Sequence, residues 1–256
     1  MTEIHRGSDI AAAKGRLGVL MPGIGAVCST MLTGVFAARK GLARPVGSLT
    51  QTGRIRLGKR TEGRFELIKD FIGLAGLDDL VFGGWDVFPD SAYAAAAKAR
   101  VLTREHIDLV KDELEAIVPM PAVFDRRFVH NLDGTNVKKG ASKMALAEAL
   151  MKDIDDFRTR HRTDRLVMCW TASTEAYHPS QGVHAGLEAF EAGLEASSPD
   201  ISPSQIYAYA ALKMGLPYIN GAPHITTDCP ALLELAAEKG VPVTGKDFKT
   251  GQTLMK

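Results

Sequence analysis

The sequence has few cysteines, and they are far apart: Cys28, Cys169 and Cys229, an odd number in apolar surroundings. That pattern offers neither a disulfide framework nor the paired spacing of a zinc site, so the three read as small core residues. No metal site is expected. No apolar run approaches membrane-spanning length, and the opening Met1-Thr2-Glu3-Ile4-His5-Arg6 lacks the apolar segment of a secretory signal. The expectation is a cytoplasmic protein with no membrane partner. Net charge is +1, so no global field draws nucleic acid. One further absence is local. Between Ile10 and Glu62 there is no acidic residue, while Lys14, Arg16, Arg39, Lys40, Arg44, Arg54, Arg56, Lys59 and Arg60 fall in that span. Such a strip suits a small anionic ligand, with solvated surface as the plainer fate of most of these side chains.

What is present is an apolar fraction of 45% over 256 residues, enough to bury a substantial core in one large α/β domain, or one domain and part of another. Residues 17–21 read as a buried strand, followed by the turn Pro22-Gly23-Ile24-Gly25-Ala26-Val27-Cys28 and an apolar helix over 31–38. Strand, Gly-x-Gly turn and helix are the opening of a dinucleotide-binding unit. The first glycine permits the tight turn, and the second lets backbone approach a pyrophosphate at a helix N-terminus. Cys28 stands at the third position of the fingerprint, where Gly or Ala is usual. The carboxylate expected about 20 residues on for the ribose hydroxyls is missing. Two readings follow: arginines meeting a 2′-phosphate, as for NADP, or an acid from a later strand. The strand at 80–84 ends in Trp85-Asp86, and Asp86 is the preferred candidate.

Further along, helical patterns cover 90–100, 103–117, 144–159, 183–194, 203–214 and 230–239, alternating with strands at 165–170, 216–219 and 241–244. Strands alternating with helices argue an α/β fold, a Rossmann-like parallel sheet with helices on both faces. The hydroxyl-rich run Thr171-Ala172-Ser173-Thr174-Glu175 and the turn Asn220-Gly221-Ala222-Pro223 each follow a strand. The strand at 241–244, read as buried, delivers Lys246, Asp247, Lys249 and Lys256 at its carboxyl end, where open α/β sheets place ligands. Lysines there suit phosphate and a developing negative charge. A basic loop before a surface helix is the alternative.

With these segments placed, the sequence resembles the myo-inositol-1-phosphate synthase (inositol-3-phosphate synthase) family, in its bacterial type. The matching pieces are Gly23-Ile24-Gly25-Ala26, Gly47-Ser48-Leu49-Thr50-Gln51, residues 80–86, Val118-Pro119-Met120-Pro121, residues 170–175, Ile201-Ser202-Pro203-Ser204, residues 220–223 and residues 247–253. The resemblance implies NAD as cofactor and isomerisation of D-glucose 6-phosphate to 1D-myo-inositol 3-phosphate, by internal oxidation, enolisation, aldol closure and reduction. It assigns Gly23, Ile24, Gly25, Ala26 and Val27 to the cofactor phosphates and Asp86 to the adenosine ribose. Thr171, Ala172 and Ser173 fall near the cofactor, and Asn220 near the nicotinamide or substrate. Lys249 and Lys256 are assigned to catalysis and substrate binding, with Asp247 a catalytic candidate. The resemblance also implies a homotetramer in the full-length protein and a place in inositol and phospholipid biosynthesis.

The sequence departs from the family in three side chains: Lys246 where eukaryotic relatives carry a second acid, Leu254 for a lysine, and His224 where Gln or Asn is common. His224 is expected as a polar wall of the pocket. Family members continue well beyond the motif at 247–253, so the expectation is a truncated chain. Residues 1–215 are expected as the NAD-binding domain, and 216–256 as the incomplete start of a catalytic and tetramerisation domain, leaving an unfinished sheet. Two other readings stand beside the isomerase: an NAD(P)-dependent dehydrogenase of a phosphorylated polyol, and an inactive dinucleotide-binding fragment.

Overall fold

Alternation of side chains builds the centre of the molecule. The first strand, β1 (Leu17–Pro22), sends Leu20 to one face and Met21 to the other, both essentially without solvent exposure. Both faces are therefore covered, as a parallel sheet requires. The structure, a computed structural model, describes residues 13–248. After β1 come α1 (Ala26–Arg39), α2 (Leu49–Thr52), β2 (Arg54–Arg56), β3 (Phe65–Leu67) and α3 (Ile68–Phe71). Then follow β4 (Leu80–Asp86), α4 (Ala92–Ala99), α5 (Arg104–Asp108), α6 (Lys111–Glu115), β5 (Met120–Pro121), α7 (Lys143–His161) and β6 (Arg165–Trp170). The described chain ends with α8 (Leu187–Glu195), α9 (Pro203–Lys213), β7 (Tyr218–Asn220), α10 (Pro230–Lys239) and β8 (Val243–Gly245).

Six strands form one sheet in the order β5-β4-β1-β6-β7-β8, with every pairing parallel. Ranked by chain position these six run 3-2-1-4-5-6, the doubly wound dinucleotide-binding order. The α/β Rossmann-like expectation is thus the fold observed. One face buries Leu20, Trp85, Met168 and Trp170 under α7, α8, α9 and α10. The other buries Met21, Phe82, Cys28 and Leu32 under α1, α4 and the α5–α6 segment. β2 and β3 form a separate antiparallel hairpin.

Several boundaries differ from the sequence expectation. α1 starts at Ala26, directly after the glycine turn, and not at Met31. The stretch 103–117 is two short helices, broken at Leu109 and Val110, although Ile107, Val110, Leu114 and Ile117 all reach the core as their spacing predicts. The strand expected as buried at 241–244 is β8, at the sheet edge, with Thr244 and Gly245 exposed. Among the described residues the sheet holds six strands, and β7 and β8, beyond residue 215, extend it without a change of direction.

Candidate functional site

The order reverses between β1 and β6: the chain leaves β1 toward β4 on one side, and β6 leads to β7 on the other. At the carboxyl ends of these two strands such sheets open a crevice. A cavity of about 660 Å³ lies there, bordered by Gly23, Gly25, Ala26 and Val27 after β1, Asp86 and Phe88 after β4, and Thr171 to Glu175 after β6. Val123, Phe124, Val129 and Leu132 from the loop after β5, with Tyr207 of α9, make much of its apolar wall.

The glycine turn is held from both sides. Gly23 has φ +94°, and a Cβ placed on it would lie 2.3 Å from the Cα of Ala172. Only glycine fits that contact, because side chains disfavour positive φ and the Ala172 backbone fills the space. Gly23 N–H donates to the Trp85 carbonyl at 2.7 Å. Thr171 N–H donates to Pro22 O at 2.9 Å, and the Thr171 hydroxyl donates to Gly23 O at 2.6 Å. Gly25 differs: a Cβ there would meet nothing within 4 Å. It faces open space at the mouth of α1, a helix of 14 residues with no acidic residue in its first turn and no side-chain cap. The first-turn N–H groups of Ala26 and Val27 have no partners within the helix and carry the positive end of its dipole.

Asp86 closes the turn from the β4 side. Its carboxylate accepts Ile24 N–H at 2.7 Å and Phe88 N–H at 3.0 Å. Burial pushes its carboxyl upward, and the backbone donors from Phe88 and Ile24 oppose that shift. Asn136 anchors the loop after β5 beneath it, donating its amide to Asp86 O at 3.0 Å. Trp85, one residue earlier, faces the opposite side, where its indole N–H donates to Asp153 at 2.6 Å. Among the described residues no lysine or arginine lines the cavity. Arg39, from the basic strip, is spent elsewhere: it donates to the carbonyls of Leu77 and Leu80 and lies over the Phe36 and Phe82 rings.

Of the residues singled out in the sequence, Gly23, Gly25, Ala26, Val27, Asp86, Thr171, Ala172, Ser173 and Asp247 all border the one cavity. Ile24 turns its side chain into the core and offers the turn only its N–H. Asn220 is buried, with its amide tied to His224 O at 2.8 Å and to Ala222 N at 3.2 Å, while its neighbours Gly221 and Ala222 reach the cavity. Asp247, at φ +81°, is held by its N–H on Ala222 O. Lys249 and Lys256 lie outside the described residues. His224, expected as a pocket wall, does not border the main cavity: it is buried behind Trp170, with ring centroids 5.5 Å apart, and borders a small second cavity. Sequence reasoning missed Tyr207 and the apolar side chains Val123, Phe124, Val129 and Leu132 of the loop after β5. Tyr207 sits on a helix buried on all sides, so no amphipathic pattern marks the face that meets the cavity.

Residues 17–254 match a family model for NAD binding described as myo-inositol-1-phosphate synthase. The inositol-3-phosphate synthase 1 of Bacteroides thetaiotaomicron is 48% identical over 250 residues, spanning 97% of this chain and 58% of that protein. The inositol-3-phosphate synthase 1 of Oryza sativa subsp. japonica is 36% identical over 94% of this chain and 50% of its own length. A crystal structure of inositol-3-phosphate synthase from Caenorhabditis elegans superposes with a TM-score of 0.87 at 31% identity, covering 94% of this chain and 51% of that one. The chain therefore spans between half and three-fifths of the length of these relatives.

Proposed function

The chain belongs to the myo-inositol-1-phosphate synthase family, and from that premise we propose that it is the NAD-holding part of an enzyme converting D-glucose 6-phosphate to 1D-myo-inositol 3-phosphate. One observation carries the reading. The glycine turn, wedged against Ala172 and tied to Asp86, opens its single unobstructed side, at Gly25, onto the cavity at the switch point of the sheet.

The residues present fit NAD. Gly25, Ala26 and Val27 supply backbone N–H groups and a helix N-terminus for the pyrophosphate. Asp86 stands at the end of the strand next to β1, the position from which a carboxylate accepts ribose hydroxyls. Its negative charge opposes a 2′-phosphate, which favours NAD over NADP. Thr171 fixes the turn through Gly23 O, and Ala172 and Ser173 border the cavity from β6. When bound, NAD supplies reversible hydride acceptance, the chemistry an internal oxidation followed by a reduction requires. The apolar side chains of Val123, Phe124, Val129 and Leu132 lower the local dielectric, which strengthens charge interactions beside them.

Asp247 is proposed to act on substrate from the loop after β8, with Lys249 and Lys256 holding the sugar phosphate and stabilising enolate or alkoxide charge. Asn220 is proposed to shape the substrate end by fixing Gly221 and Ala222. The division at residue 215 is kept as a proposal, with 216–256 leading into a catalytic and tetramerisation part. The near twofold length of the relatives supports it. A homotetrameric, cytoplasmic enzyme serving inositol and phospholipid biosynthesis completes the reading. The three free cysteines are in keeping with a reducing compartment.

The test is conversion of glucose 6-phosphate to inositol phosphate by the full-length protein with NAD in catalytic amount. Product formed without accumulation of NADH is the expected result. Stoichiometric NADH would instead favour a dehydrogenase of a phosphorylated polyol.

A further inference from the structure

Behind the cavity wall a chain of buried polar groups joins three segments far apart in sequence. Glu175, 5% exposed, borders the main cavity and follows β6. Its Oε1 accepts the N–H of Ser204, in the first turn of α9, at 2.7 Å, and its Oε2 is 2.5 Å from the Ser204 hydroxyl. Ser204 Oγ is 2.5 Å from Thr226 Oγ1, which is 2.9 Å from His224 Nδ1. The far ring nitrogen of His224, Nε2, is buried and has no partner among the described residues.

The hydrogens in this chain can be placed one after another. Asn220 sets the first. Its Oδ1 accepts Ala222 N–H and its Nδ2 donates to His224 O, so the amide has one orientation. The same Nδ2 lies 3.3 Å from His224 Nδ1. A ring nitrogen facing an amide N–H is an acceptor, and the neutral imidazole then carries its hydrogen on Nε2. Thr226 must therefore give its only hydroxyl hydrogen to Nδ1. The hydrogen between Thr226 and Ser204 must come from Ser204. Ser202 Oγ, 3.0 Å from Ser204 Oγ, can then only donate to it. With the Ser204 hydrogen spent, the contact between Ser204 and Glu175 Oε2 closes only if the carboxyl supplies its own.

We propose that Glu175 is a carboxylic acid in the resting protein and that Ser204, Thr226 and His224 form with it a proton relay ending on the cavity. One proton passes. The carboxyl hydrogen moves to Ser204 as the Ser204 hydrogen moves to Thr226 and the Thr226 hydrogen moves to Nδ1. The result is a carboxylate at the cavity and an imidazolium at His224, with no change in total protons. Ser204, Thr226 and His224 are positioning residues, acting through Glu175.

Burial supports the neutral resting pair from both ends. It pushes the Glu175 carboxyl upward and lowers His224 to about 4. Among the described residues the one cation near Glu175 is Lys143, and no salt bridge joins the two. Asp125, on the loop after β5, adds to the upward push. Lys143, at the start of α7, spends its ammonium on the Ser198 and Ile201 carbonyls at 2.7 and 2.5 Å. Asp200 and His184 border a small second cavity behind Glu175, and His184 is turned to Gln181 and Gln205. The use of the relay, to take a proton from a bound hydroxyl during oxidation and return it on reduction, rests on the proposed function. The proton inventory does not.

The experiment reads protons directly. In protein with nitrogen-15-labelled histidine at neutral pH, His224 is expected as the neutral form with hydrogen on Nε2. Infrared difference spectra are expected to show a carboxylic-acid C=O band that Glu175→Gln removes. Thr226→Val frees the Ser204 hydrogen to meet Glu175, so the band is expected to shift although Glu175 is unchanged, and Thr226→Ser restores its position. His224 found with hydrogen on Nδ1, or a band unmoved in folded Thr226→Val, overturns the relay. The histidine readout on wild-type protein stands even if a variant fails to fold. Failure of glucose 6-phosphate turnover would leave them untouched, so the two readings fall separately.

Discussion

The Cα of Ala172 occupies the place where Gly23 would carry a side chain, 2.3 Å from an added Cβ. The loops after β1 and β6 thus meet backbone to backbone at the switch point, and two glycines of one turn have separable roles. Gly23→Ala forces a methyl against backbone at positive φ, a cost of about 1–3 kcal/mol for the strained backbone alone. Thermal unfolding is expected to move down by several degrees. Gly25→Ala adds a methyl into open space at φ −91°. Its melting temperature is expected to stay close to wild type while NAD affinity, measured by calorimetry, falls about tenfold or more (~1.4 kcal/mol).

Asp86→Asn tests the other side of the turn. The carboxylate serves two backbone donors, Ile24 and Phe88, and an amide can serve only one while its NH₂ faces the second. Losing one such bond at a part-buried or exposed donor costs about 1 kcal/mol. Denaturant unfolding is expected to show that loss, and the ratio of NAD to NADP affinity is expected to fall with the removed charge.

Arg39 is the sharpest case in the basic strip. Its guanidinium bridges two carbonyls and covers two aromatic rings, so Arg39→Ala is expected to destabilise the fold by about 2 kcal/mol. NAD affinity of the folded protein is expected to be unchanged. A selective loss of nucleotide binding with normal stability would instead make Arg39 a ligand.

His224 sets an acid limit. Its value is lowered from 6.5 to about 4 by burial, so the unfolded chain binds more protons than the folded one between those pH values. Stability from this group is full above about pH 6.5 and is lost as pH falls toward 4, by about 3 kcal/mol in all. Glu175 and Asp86, shifted upward, act with the opposite sign, favouring the folded state at lower pH. His224→Gln is therefore expected to flatten the acid side of a stability-against-pH curve measured by denaturant titration.

Much of this architecture is legible in the sequence because its signals are local. Apolar β1 followed by Gly-x-Gly, the Ser202-Pro203 cap of α9 and the limits of β6 and α10 follow from residue type alone. The start of α1 was obscured because Ser29 and Thr30 interrupt the apolar pattern, and no side chain caps the helix. At β8 the pair Val241 and Val243 suggested burial, but the strand is the sheet's edge, with no neighbour beyond it among the described residues. What Arg39 and Glu175 bind is not legible in composition. Their partners, Leu77 and Leu80 in one case, Ser204 in the other, are brought near only by the order of the strands. The cavity was legible as a set of strand ends, whereas the proton chain behind it depends on tertiary register that no spacing records.

The central claim is that the turn from Gly23 to Val27 holds the cofactor against β6. Titration of NAD into the nitrogen-15-labelled protein, followed at backbone amides, tests it most directly. The account predicts saturable shifts concentrated at Gly25, Ala26, Val27, Asp86 and Ala172, at NAD concentrations where NADP produces weaker changes. Binding that leaves these amides still and moves those at the amino ends of the strands, around Gly15 and Arg165, would contradict it.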